Sequence, residues 1–180
     1  VWPILKRSIN RISDFVQDML AFSKPREPLY EVCTLRNIID DAVRTYTDLL
    51  AQKNIDVEVD YSNVTGSVDV DSQGLYRCLV NLITNAGEAV APRTGKIWIT
   101  ARDGGNSDVV IEVADNGPGV APENRSRIFE PFFSTKGAQG TGLGLAVTYK
   151  IIREHHGEIA VEDRPGGGAP DEPSVDEPDQ

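Results

Sequence analysis

The sequence predicts an α+β domain, and three observations carry that reading. Segments with apolar residues at helical spacing are interleaved with short segments in which apolar and polar residues alternate. A hydrophobic content of 39% is ordinary for a chain that buries a core, and 180 residues suffice for one compact domain plus an appendage. Residues 115–144 are dominated by Gly, Pro and polar side chains, which is too long for a plain connection in a compact domain and so points to function.

The elements follow in order. Leu5, Ile9, Ile12, Val16 and Met19 alternate in steps of four and three, the seam of a helix that pairs with another helix, with Lys6, Arg7, Arg11, Asp14, Gln17 and Asp18 around it. Its stripe needs a partner, either elsewhere in the chain or in a second copy. Pro25 and Pro28 break this pattern, so residues 1–28 read as a seam helix and linker, 29–164 as the main domain. Tyr30 to Thr34 forms a short strand, and Leu35 to Leu50 a helix through Ile38, Ile39, Ala42, Val43, Tyr46 and Leu49. Ile55, Val57, Val59 and Tyr61 alternate as a strand, and a second helix runs from about Ser72 to Val90, ending near Pro92. Strands at Lys96 to Ala101 and Val109 to Ala114 flank a turn of Asp103, Gly104, Gly105, Asn106 and Ser107. Leu143 to His155 reads as a helix and Glu158 to Glu162 as a strand. Residues 165–180 hold four prolines, three glycines and five acids without Lys or Arg, a disordered acidic tail by composition.

Charge and cysteine usage narrow the function. The net charge of -10 and the pI near 4.6 argue against a reader of phosphate backbones, so no nucleic acid is expected. Five of the negative charges lie in the tail, which leaves the folded part mildly acidic. Cys33 and Cys78 lie far apart with no metal-ligand spacing, and read as thiols in a reducing compartment. No signal peptide and no run of about 18 apolar residues is present, so the expectation is a cytoplasmic chain, with any membrane anchor carried by other segments.

The chemistry concentrates in four places. On the helix from Ser72, a turn of about 100° per residue puts Asn81, Asn85 and Glu88 within roughly 60° of one another, while Leu75, Leu79, Leu82, Ala86 and Val90 point the other way. Amides disfavour a helix slightly, so two of them on one face need a reason. Asp115, Asn116, Gly117, Pro118 and Gly119 leave a strand in a sharp turn. A carboxylate there suits an exocyclic amine, and the glycines let backbone approach a flat ring. Phe129, Glu130, Pro131, Phe132, Phe133, Ser134, Thr135 and Lys136 combine aromatic anchors with a hydroxyl and an ammonium. Gly140, Thr141, Gly142, Leu143, Gly144 and Leu145 then open a helix, where free N–H groups and the dipole favour an anion.

Each box alone is ambiguous: a solvated face, a tight turn, a loop that fits neither dinucleotide nor P-loop spacing. In succession, over roughly Tyr30 to Val161, they resemble the ATPase domain of sensor histidine kinases and their Bergerat-fold relatives. That resemblance implies a two-layer α/β sandwich with a mixed sheet and helices on one face, binding ATP and Mg2+. It implies that Asn85 holds the magnesium and that Asn81 lines the same pocket. Asp115 is implied to read adenine, with Gly117 and Gly119 shaping the loop around the base. Lys136, Thr135 and the run Gly140, Thr141, Gly142, Leu143 and Gly144 are implied phosphate contacts, with Gln139 and its flanking glycines as lid hinges. Asn81, Asn85 and Lys136 are the catalytic candidates.

The resemblance also implies a homodimer through the N-terminal helix and a response-regulator receiver domain as partner. ATP-hydrolysing relatives place a Glu, as general base for water, where this chain has Asn81, which fits transfer to a side chain instead. Three departures from the family pattern stand out. The expected acceptor histidine on a first hairpin helix has no counterpart, since the histidines are His155 and His156 after the glycine lid. The expectation is therefore a fragment that binds nucleotide without phosphorylating itself. Gly166, Gly167, Gly168 and Ala169 replace the usual last strand, and Glu88 stands where the family often has a basic residue. Two alternatives stay open: a serine kinase of the anti-sigma-factor type, and a degenerate ATP-binding dimerisation scaffold.

Overall fold

The computed structural model describes residues 2–23, 27–64, 66–105, 108–137 and 140–164. Among these, the helices are α1 (Trp2–Ser23), α2 (Leu35–Gln52), α3 (Ser72–Ala89) and α4 (Gly144–Glu154). The strands are β1 (Glu31–Cys33), β2 (Asp56–Asn63), β3 (Val68–Val70), β4 (Lys96–Gly105) and β5 (Asp108–Asp115). β2, β4 and β5 form a mixed sheet in that order, β2 parallel and β5 antiparallel to the central β4. β1 and β3 pair antiparallel as a separate two-stranded sheet.

Period-two alternation on β4 decides which face is covered. Ile97, Ile99 and Ala101 are buried, and they meet Leu35, Ile38, Ile39 and Ala42 of α2 and Leu79, Ile83 and Ala86 of α3. This is the expected two-layer α/β arrangement, with the helical layer on one side of the sheet. Ile83, which the helical-face count passed over, is among the fully buried side chains. On the other face, the Arg164 guanidinium lies over the Trp98 ring at 3.3 Å from its centroid.

α3 carries the Asn face, and its register is fixed at both ends. The buried Asp71 is its N-cap, accepting the Gly74 N–H at 3.1 Å. At the far end Lys53 Nζ donates to Gly87 O at 3.0 Å, and the helix stops before Pro92. α4 packs on α3 through a second cluster of Cys78, Val147 and Ile151, against which Ala21 of α1 also rests. α1 is fastened there by polar contacts: Arg77 Nη2 pairs with Asp18 at 2.7 Å, and Lys150 Nζ donates to the carbonyls of Ala21 and Phe22, each at 2.9 Å. Lys150 thus answers the open carbonyls at the C-terminal end of α1.

Some expectations need correction. Glu158 to Glu162 is not a strand: it makes no ladder, and its neighbourhood is held by side chains, Asp163 accepting both carboxylate contacts of Arg125 at 2.7 Å. β3 escaped the sequence reading because three residues are too few to display alternation. β4 runs through Asp103, Gly104 and Gly105, where a turn was expected, with a register shift near Gly105 at φ 82. Of that turn, Asn106 and Ser107 lie outside the described residues, as do Lys24, Pro25 and Arg26 of the expected linker and the whole of the expected tail. No described helix is long and apolar enough to cross a membrane.

Candidate functional site

The four boxes, distant in sequence, are drawn together by α3. Asn85 and Glu88 lie near its C-terminal end, and Lys136 from the third box reaches them: Nζ is 3.2 Å from Asn85 Oδ1 and 2.6 Å from Glu88 Oε2. Asn81, one turn earlier, turns instead to α4. Its Nδ2 donates to Gly144 O at 3.0 Å and to Thr148 Oγ1 at 3.3 Å. The fully buried Thr148 also donates to Gly144 O, at 2.9 Å, so this carbonyl at the first turn of α4 is held twice.

The adenine-type box abuts the same end of α3. Asp115 Oδ1 accepts the Gly117 N–H at 2.8 Å, closing a tight Asx turn. A Cβ at Gly117 would stand 2.7 Å from Asp115 Oδ1 and 3.1 Å from both Cβ and O of Ala89, so a side chain there would crowd both the Asx turn and the helix end. Gly119 follows at φ 72. Asn116 anchors the turn to the sheet, accepting from Lys96 N at 2.7 Å and donating to Thr94 O at 2.9 Å. The sequence places Asn116 in this sharp turn but assigns it no contact, and the structure supplies one on each side of its amide.

The remaining two boxes clasp each other. Phe132 N–H donates to Gly142 O at 2.9 Å, with both residues at positive φ, 67 in each case. A Cβ at Gly142 would lie 2.8 Å from Phe132 Cα and O, whereas at Gly144 it would find only Asn81 atoms at 3.6 Å or more. Gly140 is packed on Ser134, whose Oγ accepts the Lys136 N–H at 3.1 Å. Thr135 is exposed. Leu143 is fully buried, so only its backbone can face a ligand. Thr141 Oγ1 accepts from Leu143 N at 3.4 Å, and α4 then starts with no side-chain cap. An uncapped helix start leaves N–H groups for an anion. Gln139 lies outside the described residues.

A divalent cation suits part of this arrangement. Asn85 and Glu88 turn two oxygens toward one point that a cationic nitrogen already holds, and hard cations of this kind take oxygen ligands. An open cleft of about 600 Å³ at the opposite end of α3, lined by Cys33, Asn37, Asp41 and Tyr76 among others, contains none of the motif residues.

Residues 70–170 match the family model described as histidine kinase-, DNA gyrase B-, and HSP90-like ATPase. The chain belongs to this ATPase family. Among curated relatives, the signal transduction histidine-protein kinase AtoS of Escherichia coli K12 is 33% identical over 166 residues, covering 92% of this chain and 27% of AtoS. Histidine kinase ThkA, solved in complex with response regulator protein TrrA, is 31% identical with a TM-score of 0.76, covering 91% of this chain and 47% of that one. Full-length ShkA in complex with AMPPNP is 26% identical with a TM-score of 0.76, covering 88% and 35%. The chain is thus a histidine-kinase ATPase domain of the Bergerat fold, and it spans about a quarter of the length of AtoS.

Two positions of this domain make contacts that sequence reasoning did not assign. Asp71 precedes the helical pattern directly and is an N-cap signal in plain view. His155 holds the start of α3 from outside: its Nε2 accepts the Asp71 N–H at 3.1 Å, and its Nδ1 lies 2.8 Å from Ile151 O. With the Nε2 side accepting, Nδ1 carries the proton and donates to that carbonyl. Only the fold reveals this contact, since 84 residues separate the partners.

Proposed function

We propose that this domain is the ATP-binding part of a sensor histidine kinase, passing the γ-phosphoryl group of Mg-ATP to a histidine other than His155 and His156, for relay to a response-regulator receiver domain. The observation that carries the reading is that Lys136, packed beside Gly140 of the glycine loop, reaches Asn85, while that loop opens the uncapped start of α4. Phosphoryl transfer asks a protein mainly for positioning and charge neutralisation, and these groups supply both.

Asn85 Oδ1 would hold magnesium, which when bound would supply neutralisation of phosphate charge. Lys136, Thr135 and the stretch Gly140, Thr141, Gly142, Leu143 and Gly144 form the phosphate cradle, the N–H groups at the start of α4 facing the anion. Asp115 accepts the adenine amino group, and Gly117 and Gly119 let backbone lie along the ring. Asn81 is a positioning residue: through Gly144 O it keeps the start of α4 in step with the helix that bears Asn85. An amide at that position is no base for water, which favours transfer to a side chain over hydrolysis.

Both ring nitrogens of His155 are occupied, which supports an acceptor elsewhere. The exposed stripe of α1 supports pairing with a second copy, residues 1–28 forming the pairing segment and 29–164 the catalytic domain. ATP supply places the domain on the cytoplasmic side, with any membrane attachment carried by other segments. Incubation with γ-labelled ATP, alone and with a histidine-bearing hairpin domain, tests the reading. The expected result is no label on the chain alone and an acid-labile label on the hairpin. An acid-stable label would instead support a serine kinase, and an acid-labile label on His155 or His156 would overturn the assignment of the acceptor.

A further inference from the structure

We propose that Glu88 sets the metal requirement of the nucleotide site, admitting triphosphate readily only in company with a divalent cation, while Lys136 holds the cation's place in the nucleotide-free domain. This rests on the reading of the Asn85 face as a Mg-ATP site.

The argument starts from one nitrogen. Lys136 Nζ sits 3.2 Å from Asn85 Oδ1 and 2.6 Å from Glu88 Oε2, so two oxygens three residues apart on α3 converge on a single positive centre. An ammonium and a magnesium ion on the same Asn85 oxygen would repel each other strongly, since magnesium draws its ligands in to about 2.0–2.1 Å. Lys136 and the metal are therefore alternatives at this place. Lys136 is also the mobile partner, a flexible stem on a glycine-flanked loop, whereas Asn85 and Glu88 are fixed to a helix.

Charge then decides which nucleotide species is accepted. A metal-free triphosphate draws Lys136 to its own oxygens and uncovers the Glu88 carboxylate beside like charge. A metal complex brings a cation to the oxygens that Lys136 leaves, so the carboxylate stays compensated. Glu88 thus penalises free triphosphate and tolerates the metal complex. A basic side chain at this position would do the reverse, contributing to phosphate binding whether or not metal is present. Asp115, the other carboxylate at this end of α3, is already engaged by the Gly117 N–H and is the same in every variant considered.

The test is binding of AMPPNP, measured by calorimetry in excess magnesium and again in excess chelator, for the parent chain, Glu88→Gln and Glu88→Lys. Glu88 is half exposed, so both substitutions leave the core untouched, and melting curves verify the fold. Magnesium-dependent binding by the parent chain tests the underlying reading by itself. The proposal expects metal-free affinity to rise in the order parent, Glu88→Gln, Glu88→Lys. The first step should be about fivefold, the size of effect one partly exposed charge gives. Affinity for the magnesium complex should change less, so that the ratio of the two falls. A ratio that is unchanged in both variants, or equal weakening of both forms, would overturn the proposal while leaving the nucleotide site itself intact. In a parallel readout, Mn2+ bound in the ternary complex and followed by electron paramagnetic resonance should weaken in Glu88→Lys, and unchanged Mn2+ affinity there would also count against it.

Discussion

Asn81 and Asn85 lie one turn apart on the same face of α3, yet their carboxamides serve different ends. Asn81 joins two helices, and Asn85 offers an oxygen to a cation. Their shared face was legible from 3.6-residue periodicity, but that division was not, because it depends on where α4 and Lys136 arrive. Cysteine makes the same point. Cys78 has no motif around it, and only packing reveals that burial pushes its thiol up to about 12. The neutral thiol therefore favours the folded state fully below the ordinary value of 9.0, and that contribution declines as pH rises from there toward 12. Cys33, less buried, is raised too, by burial first and by Glu31 and Asp69 after it. We expect Cys78 to resist thiol reagents at pH 8 in the native chain and to react on unfolding, as measured by mass spectrometry with and without denaturant. Modification of Cys78 at the rate of an unfolded thiol would contradict the burial.

At the scale of elements, the glycine loop is the part whose sequence and geometry correspond most tightly. Gly142 combines a positive φ with Phe132 backbone atoms at 2.8 Å from where a Cβ would stand. Gly142→Ala should therefore cost about 2 kcal/mol or more, since strain and overpacking add. Urea titration measures this cost, and Gly144→Ala, where the space is ordinary, should cost clearly less. The long helices and the β4 to β5 hairpin were legible because apolar spacing ran for several turns or several residue pairs. The three-residue β3 showed no pattern and is held by β1, which the sequence did indicate, and the stretch after α4 looked like a strand because the β-branched Ile159 and Val161 stand two apart between acids. In the fold that stretch joins no ladder, and the Arg125 to Asp163 and Arg164 to Trp98 contacts hold the adjoining residues instead.

At the scale of the whole molecule, α1 is both attached and unfinished. Its C-terminal end is held by Arg77 and Lys150, the latter from the helix that the glycine loop opens. Farther back, Leu5, Ile9, Ile12, Val16 and Met19 stay about half exposed or more, from 47% at Val16 to 63% at Ile12. A stripe of this length calls for another helix, which supports the expected pairing with a second copy. Sedimentation should find a concentration-dependent dimer that Ile12→Glu shifts to monomer. A parent chain that stays monomeric at high concentration would contradict this pairing. The fold class, the four boxes and the seam were readable in advance because each is a local pattern. The contacts that tie them into one object, Asn81 to Gly144 and Asp71 to His155, join residues more than 60 apart. Such contacts emerge only from the folded chain.

All of these levels meet in the claim that the end of α3 and the glycine loop form a nucleotide site through Asn85. Titration calorimetry of AMPPNP against the parent chain and Asn85→Ala, each in excess magnesium, tests it most directly. Saturable binding is predicted for the parent chain and its loss for Asn85→Ala with the melting curve unchanged. Equal affinity in the two chains would contradict the account.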